Sequence, residues 1–209
     1  MKKQSSHFSL RLIDGLSRFF FWFLASVSAI FFIFVVINIL GLTPDSVDVG
    51  LDLPTKFRVA EEGSFTFGDH TSTVTIKEAT GTIMFGNAPR VFSIIMSLGV
   101  LPLLGALLYM LWLFKGFTKN VKLGNAFDPI NIKHFKQIAY IIAGTWLYMQ
   151  MAITIYNYYA IPKLAFEGLE FSYSHGSFGG LLFFSLFVWV LSHILEKGAE
   201  IEEENRFTV

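Results

Sequence analysis

The chain has 209 residues, no cysteine and no net charge; 53% of its residues are hydrophobic and 15% are charged. An ordinary soluble domain carries about 25% charged residues, and the mean hydropathy here is +0.55. So much apolar surface does not fit a single soluble core, and it predicts one membrane domain with a small insertion outside the membrane. Zero net charge gives no global field for direct nucleic-acid binding. The lack of thiols excludes disulfides and cysteine-based metal sites.

Four apolar runs are long enough to cross a hydrocarbon core, which needs about 20 helical residues. They cover residues 19–42, 91–114, 138–159 and 178–195. The segments around them are 1–18, 43–90, 115–137, 160–177 and 196–209. The predicted fold is an α-helical membrane protein: a four-helix transmembrane bundle with a small antiparallel β insertion between spans one and two.

Lysine and arginine set the predicted orientation, because cytoplasmic loops carry an excess of them. Residues 1–18, 115–137 and 196–209 hold eleven of the sixteen, and the other two loops hold five. Residues 115–136 alone contain five lysines. We therefore expect both termini to be cytoplasmic and residues 43–90 and 160–177 to lie outside.

The segment 43–90 alternates apolar and polar residues, which is typical of strands. Four short strands are predicted, at 56–60, 64–67, 73–77 and 82–85, with turns at Glu62-Gly63 and Gly68-Asp69. We expect three or four of them to form a sheet that leans on the membrane surface or on the loop 161–177. Such a sheet is either a sensor cap or a structural spacer.

Side chains for chemistry are sparse. The four apolar cores contain no charged residue, which argues against an ion pump because ionisable groups mark ion paths in membranes. Asn38 and Gln150 are polar exceptions, for which hydrogen bonding between helices is the simplest role. His193 and Glu196 are three residues apart and are expected to face one another at a membrane border. We expect no catalytic residue, no cofactor and no metal site.

The loop before the third span has a specific pattern. Asp128-Pro129 is typical of a helix start, because the carboxylate caps free N–H groups and proline suits the first turn. Apolar residues then form one stripe, predicting that span three begins as an amphipathic extension. Residues 124–127 are expected to bend so that Phe127 returns towards the membrane.

The last segment places five acids between Glu196 and Glu204 and ends in the apolar residues Phe207 and Val209. The helix is expected to continue through Glu204. Its acids either form a solvated helix end that pairs with lysines of the loop 115–137, or belong to a docking tail for a cytosolic partner.

These two segments resemble the bacterial domain-of-unknown-function family 2975, which has a Gly-x-x-Phe-x-x-x-Asn stretch before span three and a Gly-Ala-Glu-Leu-x-x-Glu-x-x-Leu-Thr-Val-like tail. The residues that match are Gly124, Phe127, Asn131, Gly198, Ala199, Glu200, Glu203, Asn205, Thr208 and Val209. Ile201 and Phe207 stand where the family usually has leucine, and Ala126 where it often has proline. The resemblance implies a multi-pass protein of the bacterial inner membrane with no established enzyme activity. It also implies a small helix-turn-helix transcription factor as a cytosolic partner.

Three functions are compatible with these features. The first is a non-enzymatic regulator or sensor that binds a cytosolic partner. The residues expected to contact that partner are Phe127, Asp128, Asn131, Glu200, Glu203, Asn205, Phe207 and Val209. The alternative is an oligomeric transporter or channel subunit, for which Pro102 and nearby glycines would kink a pore helix. The third is a lipid-handling enzyme at the interface, which would need a cavity near His134, His193 or Glu196.

Overall fold

The computed structural model describes residues 3–44, 46–164, 170–172 and 178–207. The α-helices are α1 (Lys3–Ile39), α2 (Arg90–Lys122), α3 (Pro129–Tyr159) and α4 (Gly179–Phe207). The strands are β1 (Ser46–Phe67), β2 (His70–Pro89) and β3 (Glu170–Ser172), and a 3-10 turn spans Ile161–Lys163.

The chain divides into two compact units. Unit 1 comprises Met1–Leu42, Ile94–Tyr148 and Phe178–Val209, and therefore contains most of the helical residues. Unit 2 comprises Thr43–Ser93 and Met149–Ser177, and it holds the sheet.

The four predicted helices are confirmed, and each is long and apolar enough to cross a membrane. Many of their large apolar side chains are exposed: Phe183 is 77% exposed and Ile30 is 69% exposed. All four helices extend beyond the apolar runs; α1, for example, begins at Lys3 rather than at Phe19. These extensions carry the polar contacts described below.

Small residues bring α3 and α4 together. Ala139 and Ile142 of α3 are buried against Val188 of α4. The buried Ser185 hydroxyl donates to the Ala139 carbonyl at 2.9 Å. A small residue at the contact allows two backbones to approach closely, and a hydroxyl then adds a hydrogen bond between the helices. Asn38, predicted to be a polar contact between helices, is fully buried in α1.

The sheet is antiparallel and three-stranded, with order β2-β1-β3. The prediction of four short strands was wrong. Segments 56–60 and 64–67 both lie in β1, and segments 73–77 and 82–85 both lie in β2. The predicted turn at Glu62-Gly63 is also wrong: Gly63 pairs with Val74 inside the hairpin, and a register shift lies between Arg58 and Glu61. The ladder runs without interruption from Glu61 through Gly63 to Phe67, so this glycine lies within the strand and not in a turn.

The predicted turn at Gly68-Asp69 is confirmed, and Gly68 adopts a φ of 61°. The third strand comes from the loop after α3, as Phe171 pairs with Phe57 of β1. The ring of Phe57 also covers Gly81 of β2, where an added Cβ would lie 2.6 Å from the ring. The expectation that the insertion leans on the loop 161–177 is thus confirmed through β3.

Candidate functional site

The two segments singled out by the sequence, the α2–α3 loop and the end of α4, meet in unit 1. Between them lies a cleft of about 420 Å³, which we call the loop–tail cleft. Its lining residues are Gly124, Asn125, Phe127, Asp128, Pro129, Ala199, Glu202 and Glu203. It combines apolar surface with three carboxylates.

The conformation of the loop is set by a glycine and an asparagine. Gly124 has a φ of 89°, a left-handed conformation that residues with a Cβ rarely adopt. Asn131 is fully buried, and its amide nitrogen donates to the carbonyls of Asn125 at 2.7 Å and Ala126 at 3.1 Å. Its amide oxygen accepts from Asn120 of α2 at 2.9 Å. One side chain therefore ties the loop to the ends of α2 and α3.

The start of α3 is capped as predicted. The Asp128 carboxylate accepts from the backbone N–H of Ile130 at 2.8 Å, which satisfies a helix donor that has no partner within the helix. Ile132 is buried behind it. The cap fixes one carboxylate at the wall of the loop–tail cleft.

The loop and α4 touch through one aromatic ring and one glycine. The Phe127 ring covers Gly198 so closely that a Cβ added to the glycine would overlap the Cε1 atom of the ring. Phe127 nevertheless remains 39% exposed. The ring therefore joins the two segments while keeping one side open to the cleft. This contact explains why a glycine stands inside an otherwise uninterrupted helix.

The described residues among those predicted to bind a partner fall into three groups. Phe127, Asp128 and Glu203 line the cleft, whereas Asn131 is buried and acts through the loop. Glu200 is exposed and accepts from Lys197 at 2.6 Å, and Asn205 lies in the exposed final turns of α4. These last two are not cleft residues.

Val209 and the side chain of Phe207 lie outside the residues that the structure describes, although helix α4 runs to Phe207.

Asp14 is a further polar residue of unit 1 that was not predicted from the sequence. This α1 carboxylate is buried, with 5% of its side chain exposed, and its Oδ2 lies 3.0 Å from the Lys122 ammonium at the end of α2. Arg18, one helical turn on, also donates to both carboxylate oxygens at 3.1 and 2.9 Å. The i, i+4 spacing of Asp14 and Arg18 was the available signal. Asp14 thus fixes α1 to the end of α2 that leads into the loop.

A second polar cluster lies between the beginning of α3 and the end of the apolar run of α4. Both carboxylate oxygens of Glu196 accept from Lys136, at 2.9 and 3.0 Å. The Nδ1 atom of His193 lies 3.1 Å from the same carboxylate. The predicted proximity of His193 and Glu196, and the pairing of a tail acid with a loop lysine, are both confirmed. His134 lies elsewhere, against Gly116 of α2.

Among the described residues, no three His, Cys, Asp or Glu side chains come together in a way that could hold a metal ion. The polar clusters are instead carboxylates matched with lysine, arginine or histidine. They join one helix to the next, which is a structural use of charge.

A family model described as "Protein of unknown function (DUF2975)" matches residues 67–209. The chain belongs to this family. The DUF2975 match begins at the tip of the β hairpin and includes the whole of the α2–α3 loop and α4, so both sides of the loop–tail cleft are family sequence. No curated protein and no solved structure matches the chain.

Proposed function

We propose that this DUF2975 protein is a multi-pass protein of a bacterial inner membrane, with both termini in the cytoplasm. We further propose that it is a non-enzymatic regulator whose loop–tail cleft binds a cytosolic protein. Membrane insertion is supported by four long helices with exposed apolar side chains. Orientation is supported by the excess of lysine and arginine in the segments that carry the cleft.

The observation that carries the proposal is the contact of Phe127 with Gly198. It joins the two specific segments into a single open surface on the proposed cytoplasmic side. A surface made from two distant parts of the chain can present a fixed pattern of groups, and such preorganisation favours recognition because less order must be imposed on binding.

The lining indicates the chemistry of the partner. Asp128, Glu202 and Glu203 provide negative charge, while the side chains of Phe127 and Pro129 provide apolar surface. A complementary segment carries lysine or arginine around an apolar residue. A small helix-turn-helix protein, the partner that the family resemblance implies, has such basic groups because it contacts DNA phosphates.

One observation favours the alternative of an oligomeric transporter or channel subunit. A cavity of about 200 Å³ lies beside Pro102, lined also by Gly144, Thr145 and Tyr148. The Tyr148 hydroxyl donates to the Gly99 carbonyl at 2.6 Å, just before the proline that interrupts helix hydrogen bonding. Solute flux through vesicles containing the purified chain would support this alternative, and its absence would leave the docking function.

Photo-crosslinking in cells tests the docking function. A crosslinking amino acid replaces Ala199 in the cleft of the full chain, and a matched control replaces Thr73 on the exposed hairpin. The expected result is an adduct between the Ala199 variant and one cytosolic protein with a basic surface. Combining that variant with Glu202→Lys and Glu203→Lys should abolish the adduct. Truncation after Lys197 should abolish the interaction in a parallel co-purification.

Several results would contradict the proposal. An adduct that survives the two charge reversals would show that the acidic lining does not recognise the partner. Adducts formed only with lipid or with a second copy of the chain would also refute it. The same proteins co-purifying with and without the tail would exclude the tail from the binding surface.

A further inference from the structure

A second cavity, of about 430 Å³, lies beside the beginning of α3 and shares only Pro129 with the loop–tail cleft. Its polar lining comes from Lys133, Lys136, Gln137 and Tyr140 of α3 and from Glu196 of α4. No role in partner docking uses these side chains. We call this cavity the α3–α4 pocket.

The α3 residues of this pocket follow helical spacing. Counting from Lys133, the next three residues follow at three, four and seven positions: Lys136, Gln137 and Tyr140. All four therefore share one face of the helix. Along that face the chemistry changes from ammonium to amide to phenol. Tyr140 is 64% exposed, and it lies in the first turn of the predicted span. This order matches a passage from water through headgroups into hydrocarbon, where tyrosine favours the interface.

The lining of the pocket contains two lysines and one glutamate, and therefore one more positive than negative charge. Lys136 is held by both oxygens of Glu196, so its ammonium is fixed in position and its charge is matched. Lys133 is exposed and has no acidic partner among the residues the structure describes. One carboxylate from Glu196 against two lysine ammoniums leaves the pocket with a net charge of about +1.

We propose that the α3–α4 pocket binds the phosphodiester of an anionic phospholipid. A phosphodiester carries one negative charge, which complements the surplus charge at Lys133, and the ammonium of Lys136 supplies a second donor already fixed in place. Basic pockets between membrane helices on the cytoplasmic side are suited to acidic headgroups. The Tyr140 ring, at the membrane end of the pocket wall, lies where acyl chains would begin. The inference rests on the proposed membrane insertion.

The test is lipid retention by the full chain, purified in uncharged detergent and measured by native mass spectrometry. The probes are phosphatidylglycerol, phosphatidylcholine and inorganic phosphate. We expect phosphatidylglycerol to be retained in preference to the other two. Lys133→Gln should weaken that retention about fivefold, the effect expected for one lysine near an anionic headgroup. Lys119→Gln, which removes an exposed lysine of α2 outside the pocket, is the matched control and should leave retention unchanged.

Three outcomes would overturn the proposal. Equal retention of phosphatidylcholine would show that the pocket does not recognise the negative charge. Equal losses in the Lys133 and Lys119 variants would show diffuse attraction to surface lysines. Inorganic phosphate binding as tightly as the lipid would identify a free-phosphate site. Membrane insertion is measured separately, by whether the chain remains in membranes after a carbonate wash. A chain that stays in the membrane but retains no phosphatidylglycerol would contradict only the lipid-binding proposal.

Discussion

The loop–tail cleft and the β hairpin both contain an aromatic ring placed over a glycine, but the two contacts are supported differently. In the hairpin, Phe57 covers Gly81 between strands that are already paired along their backbones. In the cleft, Phe127 covers Gly198 between a loop and a helix that are far apart in sequence. A backbone ladder tolerates changes of side chain, whereas the cleft depends on a few side chains. Single substitutions should therefore damage the cleft more than the hairpin.

The two faces of the hairpin differ in polarity, and its side chains do not surround a cleft. Near its tip, Phe65, Val74 and Ile76 share one face by register and are all exposed. The opposite face carries hydroxyl groups, including a pair between Thr66 and Thr71 at 3.2 Å. Alternation in a two-stranded ribbon produces this pattern without any buried network.

The largest effect on the partner adduct is expected from Gly198→Ala, because it displaces the ring that joins the two sides of the loop–tail cleft. The added Cβ would overlap the Phe127 ring, and such overpacking costs about 1–3 kcal/mol, against up to about 1 kcal/mol gained from helix propensity. We expect a lower thermal midpoint in detergent and loss of the partner adduct. The control is Gly15→Ala, where an added Cβ meets nothing within 4 Å. If the two variants had equal midpoints and equal adducts, the ring–glycine contact would not support the cleft.

Asn131→Ala should have the next largest effect. It removes the two donors that hold the carbonyls of Asn125 and Ala126 and the acceptor for Asn120. Leaving buried polar groups unsatisfied costs about 1–3 kcal/mol. Hydrogen exchange of residues 124–128 should accelerate before global unfolding. Exchange in this loop that matches the wild-type chain would refute its dependence on Asn131.

A smaller effect is expected for the pair of Asp14 and Lys122. Although the carboxylate is buried, 40% of the Lys122 side chain is exposed, so solvent screens the interaction. A double-mutant cycle with Asp14→Asn and Lys122→Gln should give a coupling free energy of about 1 kcal/mol. Arg18 remains available to the acid in the Lys122 variant. A coupling of zero would show that the pair does not fix α1 to α2.

Gly68→Ala should have the smallest effect on function. Its positive φ of 61° makes alanine cost about 1–2 kcal/mol locally, and this should appear as faster hydrogen exchange at the hairpin tip. Partner binding should be unchanged. Gly63→Ala is the control, because Gly63 lies within a strand and its added Cβ makes only ordinary contact with Val74, at 3.6 Å. A loss of the partner adduct in the Gly68 variant would contradict the separation of the two regions.

The sequence predicted those features that depend on local patterns. Long apolar runs identified the four helices, and Asp128-Pro129 identified the start of α3. The division of the hairpin into strands was wrong because Gly63 reads as a turn in sequence, whereas pairing with Val74 keeps it in the ladder. Local propensity cannot reveal which strand supplies that pairing.

The candidate site was predictable in parts but not as a whole. Phe127, Gly198 and the tail acids were recognised as separate segments, yet their meeting depends on how α3 packs against α4. Asp14 was missed because its partner Lys122 lies on another helix. The buried role of Asn131 was likewise invisible, since a sequence does not say whether an amide faces a partner protein or its own loop.

The most direct test of the separation between the two regions is thiol labelling, which the absence of cysteine makes clean. Two full-length variants carry one cysteine each: Ser72→Cys on the exposed hairpin and Asn125→Cys in the loop–tail cleft. Both are treated with a membrane-impermeant maleimide, before and after permeabilisation of the inner membrane. We predict that Ser72→Cys is labelled in spheroplasts and that Asn125→Cys is labelled only after permeabilisation. Labelling of both from the same side, or the reverse order, would contradict the account.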